Sequence, residues 1–328
     1  MGRPKIEPVV WRAPAPGPKP SPTALPPLTV HPVNGFGAED VLLDSDGTVL
    51  TGLSDGRIVR LAADGSRIEV VAATGGRPLG LEHHPDGLLV CDAHRGLLLV
   101  TGSDVAVLVP RGPDLNLCNN AAVAEDGTVY FTDSTSRFDL EHYRADLIEH
   151  SSTGRLLRRT PDGALDVLLT GLSFANGVAL TPDRSAVIVS DMAAYRLHKV
   201  PVTGPTAAAS DTTVFVDDLP GFADNLSLGT DGLLWLAFAS PRDPVLDALL
   251  GKPPVFRQLL WRLPQKLQPA PQRTVWVRAL DPATGATVHD FHGSPPDFHM
   301  ATGVRESGGT VWLGSLQEPA VAAFTVPK

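Results

Sequence analysis

Four residues with side-chain oxygen atoms stand at one position relative to a repeated feature of the sequence: Glu39, Asn119, Asn176 and Asp224. Each lies seven residues before a short turn pattern that separates two apolar runs. Carboxylate and amide oxygens suit a hard cation such as Ca²⁺, which takes about six to eight oxygen ligands. Zn²⁺ fits less well because no His or Cys holds this position. The spacing predicts a Ca²⁺ site, with another divalent cation as the alternative.

Each residue alone also has an ordinary structural explanation, because Asn and Asp are common in turns and caps. Four such residues at one register are harder to explain in that way. The same count reaches Leu79 in a second unit and Ala301 or Thr302 in a sixth, whose turn carries one extra residue. The predicted ring therefore has oxygen ligands at four of six positions.

The turns that define this count also define the elements that position the residues. They are Asp46-Gly47, Asp86-Gly87, Asp126-Gly127, Asp183-Arg184, Asp231-Gly232 and Gly308-Gly309. Successive turns are 40, 40, 57, 48 and 77 residues apart, and each is followed by a β-rich run. Antiparallel units of about 40 to 50 residues are typical of propeller blades. The sequence predicts an all-β, six-bladed β-propeller, with the first strand of each blade nearest the central axis.

Two insertions follow second strands, at residues 134–153 and 239–273, which places them on the same face as the predicted metal. The first contains a candidate short helix between Asp139 and His150. The second is rich in Leu and Pro and forms either a lid or an exposed apolar patch, of which the lid is favoured. The last blade shows three strands, so a segment near Leu28–His31 is expected to supply the fourth.

Composition and charge narrow the remaining possibilities. Residues 1–27 are expected to form a flexible, Pro-rich lead-in (Pro14, Pro16, Pro18, Pro20, Pro22), and residues 28–328 a single domain. The formal net charge of −9 disfavours nucleic acid or an anionic membrane surface as the main partner. Two cysteines, Cys91 and Cys118, are too few for a disulfide scaffold and are expected to be free thiols. Neither a membrane-spanning run nor a signal peptide is evident, so a soluble, cytoplasmic protein is expected. The oligomeric state is left open.

Four segments resemble the strictosidine synthase-like family: Phe131–Phe138, Phe174–Leu180, Leu219–Asn225 and Thr302–Ser315. The resemblance runs from about Gly37 to the C-terminus. This family is similar in fold to paraoxonases and to the senescence-marker-protein and gluconolactonase family, which are six-bladed propellers. In the metal-dependent relatives a divalent ion sits at one end of the central channel.

The ligand positions that the resemblance implies coincide with the counted ring: Glu39, Asn119, Asn176 and Asp224. It adds Asn225 as a fifth ligand. Asn120 stands where the family pattern has Asp, so a role for that side chain is open. The paraoxonase His dyad is absent as a pair, since its first member falls at Leu79; His94 lies near the second, with a surface loop position as the alternative. Strictosidine synthases use a glutamate where this sequence has Gly303, which weighs against their condensation chemistry.

The leading functional hypothesis is a metal-dependent hydrolase of lactones or related esters, with a small molecule as its partner. The resemblance to gluconolactonases implies that Asp224 both binds the metal and accepts the proton of the attacking water. His94 or His299 is the alternative base, and His299 precedes the last inner strand on the metal face. A propeller that binds or scaffolds, with a structural ion, is a second hypothesis. A condensing enzyme or lyase is a third.

Overall fold

The computed structural model describes residues 3–15, 23–203 and 211–327, which contain six four-stranded antiparallel sheets. The predicted six-bladed β-propeller is confirmed. Five sheets follow chain order, whereas the sixth combines the last three strands with β1 (Thr29–Pro32). Thr29 pairs with Ala323 and Pro32 with Ala320, so the predicted closing strand is also confirmed. Closure in this way covers an edge whose backbone groups would otherwise be unpaired.

The first three blades consist of consecutive strands. Blade one contains β2 (Leu42–Leu43), β3 (Val49–Gly52), β4 (Arg57–Leu61) and β5 (Ile68–Ala73). Blade two contains β6 (Pro78–His84), β7 (Gly87–Asp92), β8 (Gly96–Thr101) and β9 (Asp104–Pro110). Blade three contains β10 (Cys118–Val123), β11 (Val129–Asp133), β12 (Gly154–Arg159) and β13 (Leu165–Leu172).

The second half of the ring repeats the pattern. Blade four contains β14 (Ala175–Leu180), β15 (Ala186–Asp191), β16 (Arg196–Pro201) and β17 (Thr213–Val216). Blade five contains β18 (Gly221–Leu228), β19 (Leu234–Pro241), β20 (Val275–Leu280) and β21 (Thr287–Gly293). Blade six contains β22 (Ala301–Ser307), β23 (Thr310–Ser315), β24 (Ala320–Thr325) and β1.

The Asp-Gly pattern forms hairpin turns for two physical reasons. The Asp46 carboxylate accepts a hydrogen bond from the Thr48 backbone N–H, and Asp126 and Asp231 make the corresponding contacts. The residue after each Asp has a positive φ, 82° at Gly47 and 83° at Gly127, which glycine adopts without a steric penalty. These local contacts explain why the turns were readable from the sequence.

The core consists of apolar clusters between neighbouring blades. Cys91 on β7 and Cys118 on β10 lie in one of these clusters as free, buried thiols, as expected. The largest cluster joins the inner strands to the two insertions and includes Leu79, Phe222 and Trp261.

Short helices form the insertions. The first contains a 3₁₀ turn (Leu140–His142) and α1 (Tyr143–Glu149), within the segment predicted to be helical. The second contains α2 (Pro244–Leu250), α3 (Pro254–Arg262) and a 3₁₀ turn (Gln265–Leu267). Leu246, Leu250 and Trp261 are buried in the large cluster, so the second insertion packs on the ring as a lid. Among the described residues, no helix has the length and apolar character needed to cross a membrane.

Residues 3–15 differ from the flexible lead-in that the sequence predicts. The backbone N–H of Val9 donates to the Glu149 carbonyl, and that of Trp11 donates to the Leu250 carbonyl. The Trp11 ring stacks on His150 with centroids 4.2 Å apart. These contacts bind the segment to both insertions. Of the proline run, Pro14 is described, while Pro16, Pro18, Pro20 and Pro22 lie outside the described residues.

Candidate functional site

β-Bulges lie at the predicted ring positions in five of the six blades. The pairing of first and second strands skips two inner-strand residues in each, between Pro78 and Leu81, Cys118 and Ala121, Ala175 and Val178, Ala223 and Leu226, and Ala301 and Val304. The first skipped residue is the one counted from the turn, which identifies Thr302 as the blade-six ring residue. A bulge redirects side chains away from the regular alternation of a strand. Glu39, in blade one, stands three residues before its inner strand, which begins at Leu42.

The residue that follows each ring position alternates around the ring between a polar residue and glycine. The order is Asp40, Gly80, Asn120, Gly177, Asn225 and Gly303. A Cβ on Gly177 would lie 2.6 Å from the Asn225 Cα, and a Cβ on Gly303 would lie 2.7 Å from the Asp40 Cα. Each glycine therefore allows the next inner strand to approach closely.

All five predicted metal ligands carry a buried side-chain oxygen that has no hydrogen-bond partner. These oxygens are Glu39 Oε2, Asn119 Oδ1, Asn176 Oδ1, Asp224 Oδ1 and Asn225 Oδ1. The five residues are only 2% to 4% exposed. A buried polar atom without a partner is costly, so five at equivalent positions call for a ligand that pairs with them. We call these five residues the oxygen cluster.

Polar contacts connect members of the oxygen cluster. Asn225 Nδ2 donates a hydrogen bond to Glu39 Oε1 over 3.1 Å, which links blade five to blade one across the channel. Against the rise that burial produces, the Asn176 side chain lies close enough to Asp224 to lower the pKa of that carboxyl. Asn119 occupies the ring position of β10, whose neighbour β14 carries Asn176. Glu39, Asn176 and Asn225 thus each use one polar side-chain atom for a protein contact and leave an oxygen without a partner.

The two carboxylates of the oxygen cluster are unfavourable as charged groups in the protein alone. Burial raises the pKa of Glu39 well above its ordinary value, and the charges of Asp224 and Asp40 raise it further. Burial likewise raises the pKa of Asp224. A divalent cation would reverse both effects because it favours the ionised carboxylates.

The donor set fits a hard cation and not a softer one. Two carboxylates and three amide oxygens supply five ligands of the kind that Ca²⁺ prefers. Within residues 3–15, 23–203 and 211–327, no group of three or more His, Cys, Asp or Glu side chains is arranged to hold a metal ion. The candidate centre therefore depends on asparagine oxygens, which are uncharged.

Asp40 and Asn120, next to ring residues, use their oxygens to join blades. Asp40 Oδ2 accepts the Leu81 backbone N–H, and Asn120 Oδ1 accepts the Val178 backbone N–H, both over 3.1 Å. These contacts show what Asn120 does in place of the family's Asp. Thr302 also serves the ring, since its hydroxyl donates to the Glu39 carbonyl.

An apolar pocket lies between the insertions and the ring. Its walls include Tyr143 and Leu147 of α1, Leu246 of α2, and Phe222 and Met300 of the ring. Met192, another lining residue, accepts a hydrogen bond from Asn176 Nδ2 over 3.3 Å. The pocket is therefore adjacent to the oxygen cluster.

The two candidate histidines are held by other partners. His94 is exposed and contacts Glu141 of the first insertion over 2.8 Å. His299 is buried, with Nδ1 bonded to Glu318 and Nε2 3.1 Å from Arg273 Nη1. Neither is among the lining residues of the apolar pocket. Their catalytic roles stay predictions, as does that of Asp224.

Sequence reasoning missed two residues beside the site. Arg77 is buried, and its positive charge partly offsets the raised pKa of Glu39. Burial raises the pKa of Tyr143, and the nearby Asp224 carboxylate raises it further. Arg77 stands two residues before the ring position of its blade, which was the available signal. Tyr143 had none, because its place depends on how α1 packs.

Another buried carboxylate, Asp146 of α1, leads to a stability prediction. Burial raises its pKa from 3.8 to about 7, and its Oδ2 has no partner. A folded-state pKa above the unfolded value means that stability is lost as the pH rises from 4 towards 7. We expect Asp146→Asn to stabilise the protein at pH 8 by about 2 to 4 kcal/mol and to have little effect at pH 4.

Thermal unfolding of both proteins across this pH range measures the difference. Asp104→Asn is the matched control, because Asp104 is exposed on β9. A gain that is equal at pH 4 and pH 8 would contradict the titration of Asp146 as its cause.

Family models match two parts of the chain. The strictosidine synthase model matches residues 119–205, and the N-terminal model of the strictosidine synthase-like proteins matches residues 28–61. The adipocyte plasma membrane-associated protein of Salmo salar is 33% identical over 315 residues, which cover 85% of this chain and 73% of the relative.

Solved structures with the same fold are more distant in sequence. A gluconolactonase from Xanthomonas campestris superposes with a TM-score of 0.64 at 17% identity, covering 93% of this chain and 91% of the other. Regucalcin, a calcium-binding protein from Agrobacterium tumefaciens, has a TM-score of 0.62 at 15% identity, with 90% and 91% covered. At these identities the likeness shows the fold alone. The relationship to the Salmo salar protein and the two model matches go further, and together they mean that the chain belongs to the strictosidine synthase-like family.

Proposed function

We propose that this protein is a divalent-cation-dependent hydrolase of lactones or related esters, with Ca²⁺ as the leading cation. The observation that carries the proposal is the oxygen cluster, whose five oxygens lack partners and whose Asn176 contacts Met192 in the wall of an apolar pocket. Ca²⁺ takes about six to eight oxygen ligands, so five protein oxygens leave room for a substrate oxygen or water.

The residues around the oxygen cluster have separate roles in the proposed ester hydrolysis. A cation held there would polarise the ester carbonyl and stabilise the negative charge that develops on its oxygen. In this proposal Asp224 would accept a proton from the attacking water. Tyr143, Leu147 and Phe222 bind the apolar part of the substrate, and the lid keeps bulk water from it.

The names of the fold relatives agree with this proposal. One solved relative is a gluconolactonase and another a calcium-binding regucalcin. Both names describe those proteins. The first is compatible with the proposed lactone hydrolysis and the second with the proposed Ca²⁺ binding.

Cation removal tests the proposal directly. The purified chain is assayed against a panel of aliphatic lactones and aryl esters, then treated with chelator and supplied again with Ca²⁺, Mg²⁺ or Mn²⁺. We expect hydrolysis that disappears on chelation and returns with the cation, together with a rise in unfolding temperature on Ca²⁺ binding. Hydrolysis that survives thorough chelation would contradict the proposal.

One observation favours a second candidate, a binding or scaffold propeller with a structural ion. The oxygen cluster is only 2% to 4% exposed, as expected for an ion that joins blades. Ca²⁺ would raise the unfolding temperature under either function. Turnover distinguishes them, since a structural ion alone gives none on any substrate of the panel.

Condensation of the strictosidine synthase type is disfavoured at position 303. That position holds glycine, and a Cβ there would lie 2.8 Å from the Glu39 carbonyl oxygen as well as 2.7 Å from the Asp40 Cα. A glutamate side chain does not fit without movement of the inner strands.

A further inference from the structure

Helix α3 has an unusual distribution of side chains between its two faces. Val255, Phe256 and Leu259 are 50%, 48% and 53% exposed, while Arg257 is completely buried. A surface helix normally turns its apolar stripe to the core and its charges to water. Here Arg257 and Trp261 face the core, and a separate apolar face is left without a partner among the described residues.

The burial of Arg257 explains why α3 is held in this orientation. Its guanidinium donates to the carbonyls of Ile148 and Glu149 in the first insertion, and to that of Val9 in the N-terminal segment. Rotation of α3 to bury its apolar face would break these bonds and leave a charge unpaired. The exposed face is therefore a stable feature of the lid.

Neighbouring residues extend the apolar face into a larger surface. Helix α2, which contacts α3, adds Val245 at 58% exposure. The chain after α3 adds Leu263 and Leu267, at 41% and 61%. We call this surface the lid patch: Val245, Val255, Phe256, Leu259, Leu263 and Leu267. Grouped exposed side chains of this size mark an interaction surface more often than scattered ones do.

The charge around the lid patch is opposite to that of the whole chain. Residues 239–273 contain six Lys or Arg and two Asp, whereas the chain has 27 basic and 36 acidic residues. Lys252, Arg262 and Lys266 are exposed beside the patch. In the part of the chain that the structure describes, no ion pair includes any of these three.

We propose that the lid patch binds the surface of an anionic lipid bilayer. Exposed Phe, Leu and Val side chains bordered by unpaired Lys and Arg are the combination that inserts shallowly at such a surface. A second copy of the chain fits less well, because pairing two lid patches would bring six unpaired basic residues together. The proposal is independent of the proposed hydrolase function.

Co-sedimentation with vesicles tests the proposal in the full chain without substrate. Vesicles of phosphatidylcholine alone are compared with vesicles that contain about 30% phosphatidylserine, at low and physiological salt. We expect binding to the anionic vesicles that weakens as salt rises. Lys252→Glu with Lys266→Glu should weaken it at least about 30-fold, since each basic residue contributes roughly a fivefold factor.

A second variant examines the apolar part of the patch. Phe256→Asp with Leu259→Asp should abolish sedimentation, while Val70→Asp with Val167→Asp should keep it. Val70 and Val167 are the matched controls because they are 56% and 50% exposed on the outer strands β5 and β13. Circular dichroism and thermal unfolding confirm that each variant folds.

Two results would overturn the proposal. One is the absence of sedimentation with anionic vesicles, or an equal loss in the control variant. The other is self-association of the wild-type chain, seen by analytical ultracentrifugation, that Phe256→Asp with Leu259→Asp abolishes; the patch would then be a contact between copies.

Discussion

Replacement of Asp224 by Asn should separate the stability of the ring from its chemistry. Without cation, we expect Asp224→Asn to unfold at a higher temperature than wild type, because burial opposes the charged carboxylate and Asn is neutral. The gain should be about 1 to 3 kcal/mol at neutral pH. The variant should lose the stabilisation by Ca²⁺ and at least about a thousandfold in lactone hydrolysis.

The two readouts of this experiment move in opposite directions, which a merely destabilised variant cannot reproduce. Thermal unfolding with and without Ca²⁺, calorimetric titration of the cation and the lactone assay are run on the same preparations. Asp104→Asn on the exposed start of β9 is the control and should match wild type in all three. Full Ca²⁺ stabilisation with full turnover in Asp224→Asn would remove Asp224 from both roles.

The second large effect is expected at a glycine of the inner ring. A Cβ on Gly177 would lie 2.6 Å from both the Asn225 Cα and the Leu226 nitrogen, and 2.7 Å from the Asp224 carbonyl oxygen. These are backbone atoms, which cannot rotate away as a flexible side chain can. We expect Gly177→Ala to destabilise the protein by roughly 2 to 5 kcal/mol and to weaken Ca²⁺ binding, because blade five must shift.

Gly112→Ala is a suitable comparison for this change. A Cβ at Gly112 would meet no atom within 4 Å, and this residue does not have a positive φ. Urea unfolding of both variants gives the difference in the free energy of unfolding. Equal stability of the two would show that blades four and five are not held at the observed distance.

The steric role of Gly177 also explains a limit of sequence reasoning. The sequence identifies Asn176-Gly177 as a ring position with a family motif. It does not explain why glycine and polar residues alternate at the position after each ring residue. That alternation has meaning only between neighbouring blades, where Gly80 faces Asn120 and Gly303 faces Asp40. These residues are 40 or more positions apart in the chain.

Predictions of flexibility and of charged partners from composition also have limits, as the N-terminal segment and the lid show. Residues 3–15 belong to the segment that the proline run predicts to be a flexible lead-in, yet Trp11 and the Val9 backbone bind the insertions. The net charge of −9 disfavours an anionic membrane surface as a partner, but it is a sum over the whole chain. The sum does not show that one basic segment lies beside an exposed apolar face.

The six blades and the register of the oxygen cluster can be predicted from the sequence alone, because Asp-Gly turns and strand patterns are local. The strand that closes the ring can be predicted in the same way. Three other properties become visible only in the folded chain: the five oxygens of the cluster lack partners, Asn120 joins blades, and Arg257 holds α3 with its apolar face outward. These properties depend on which distant residues bury an atom or bond to it, and burial is decided by packing.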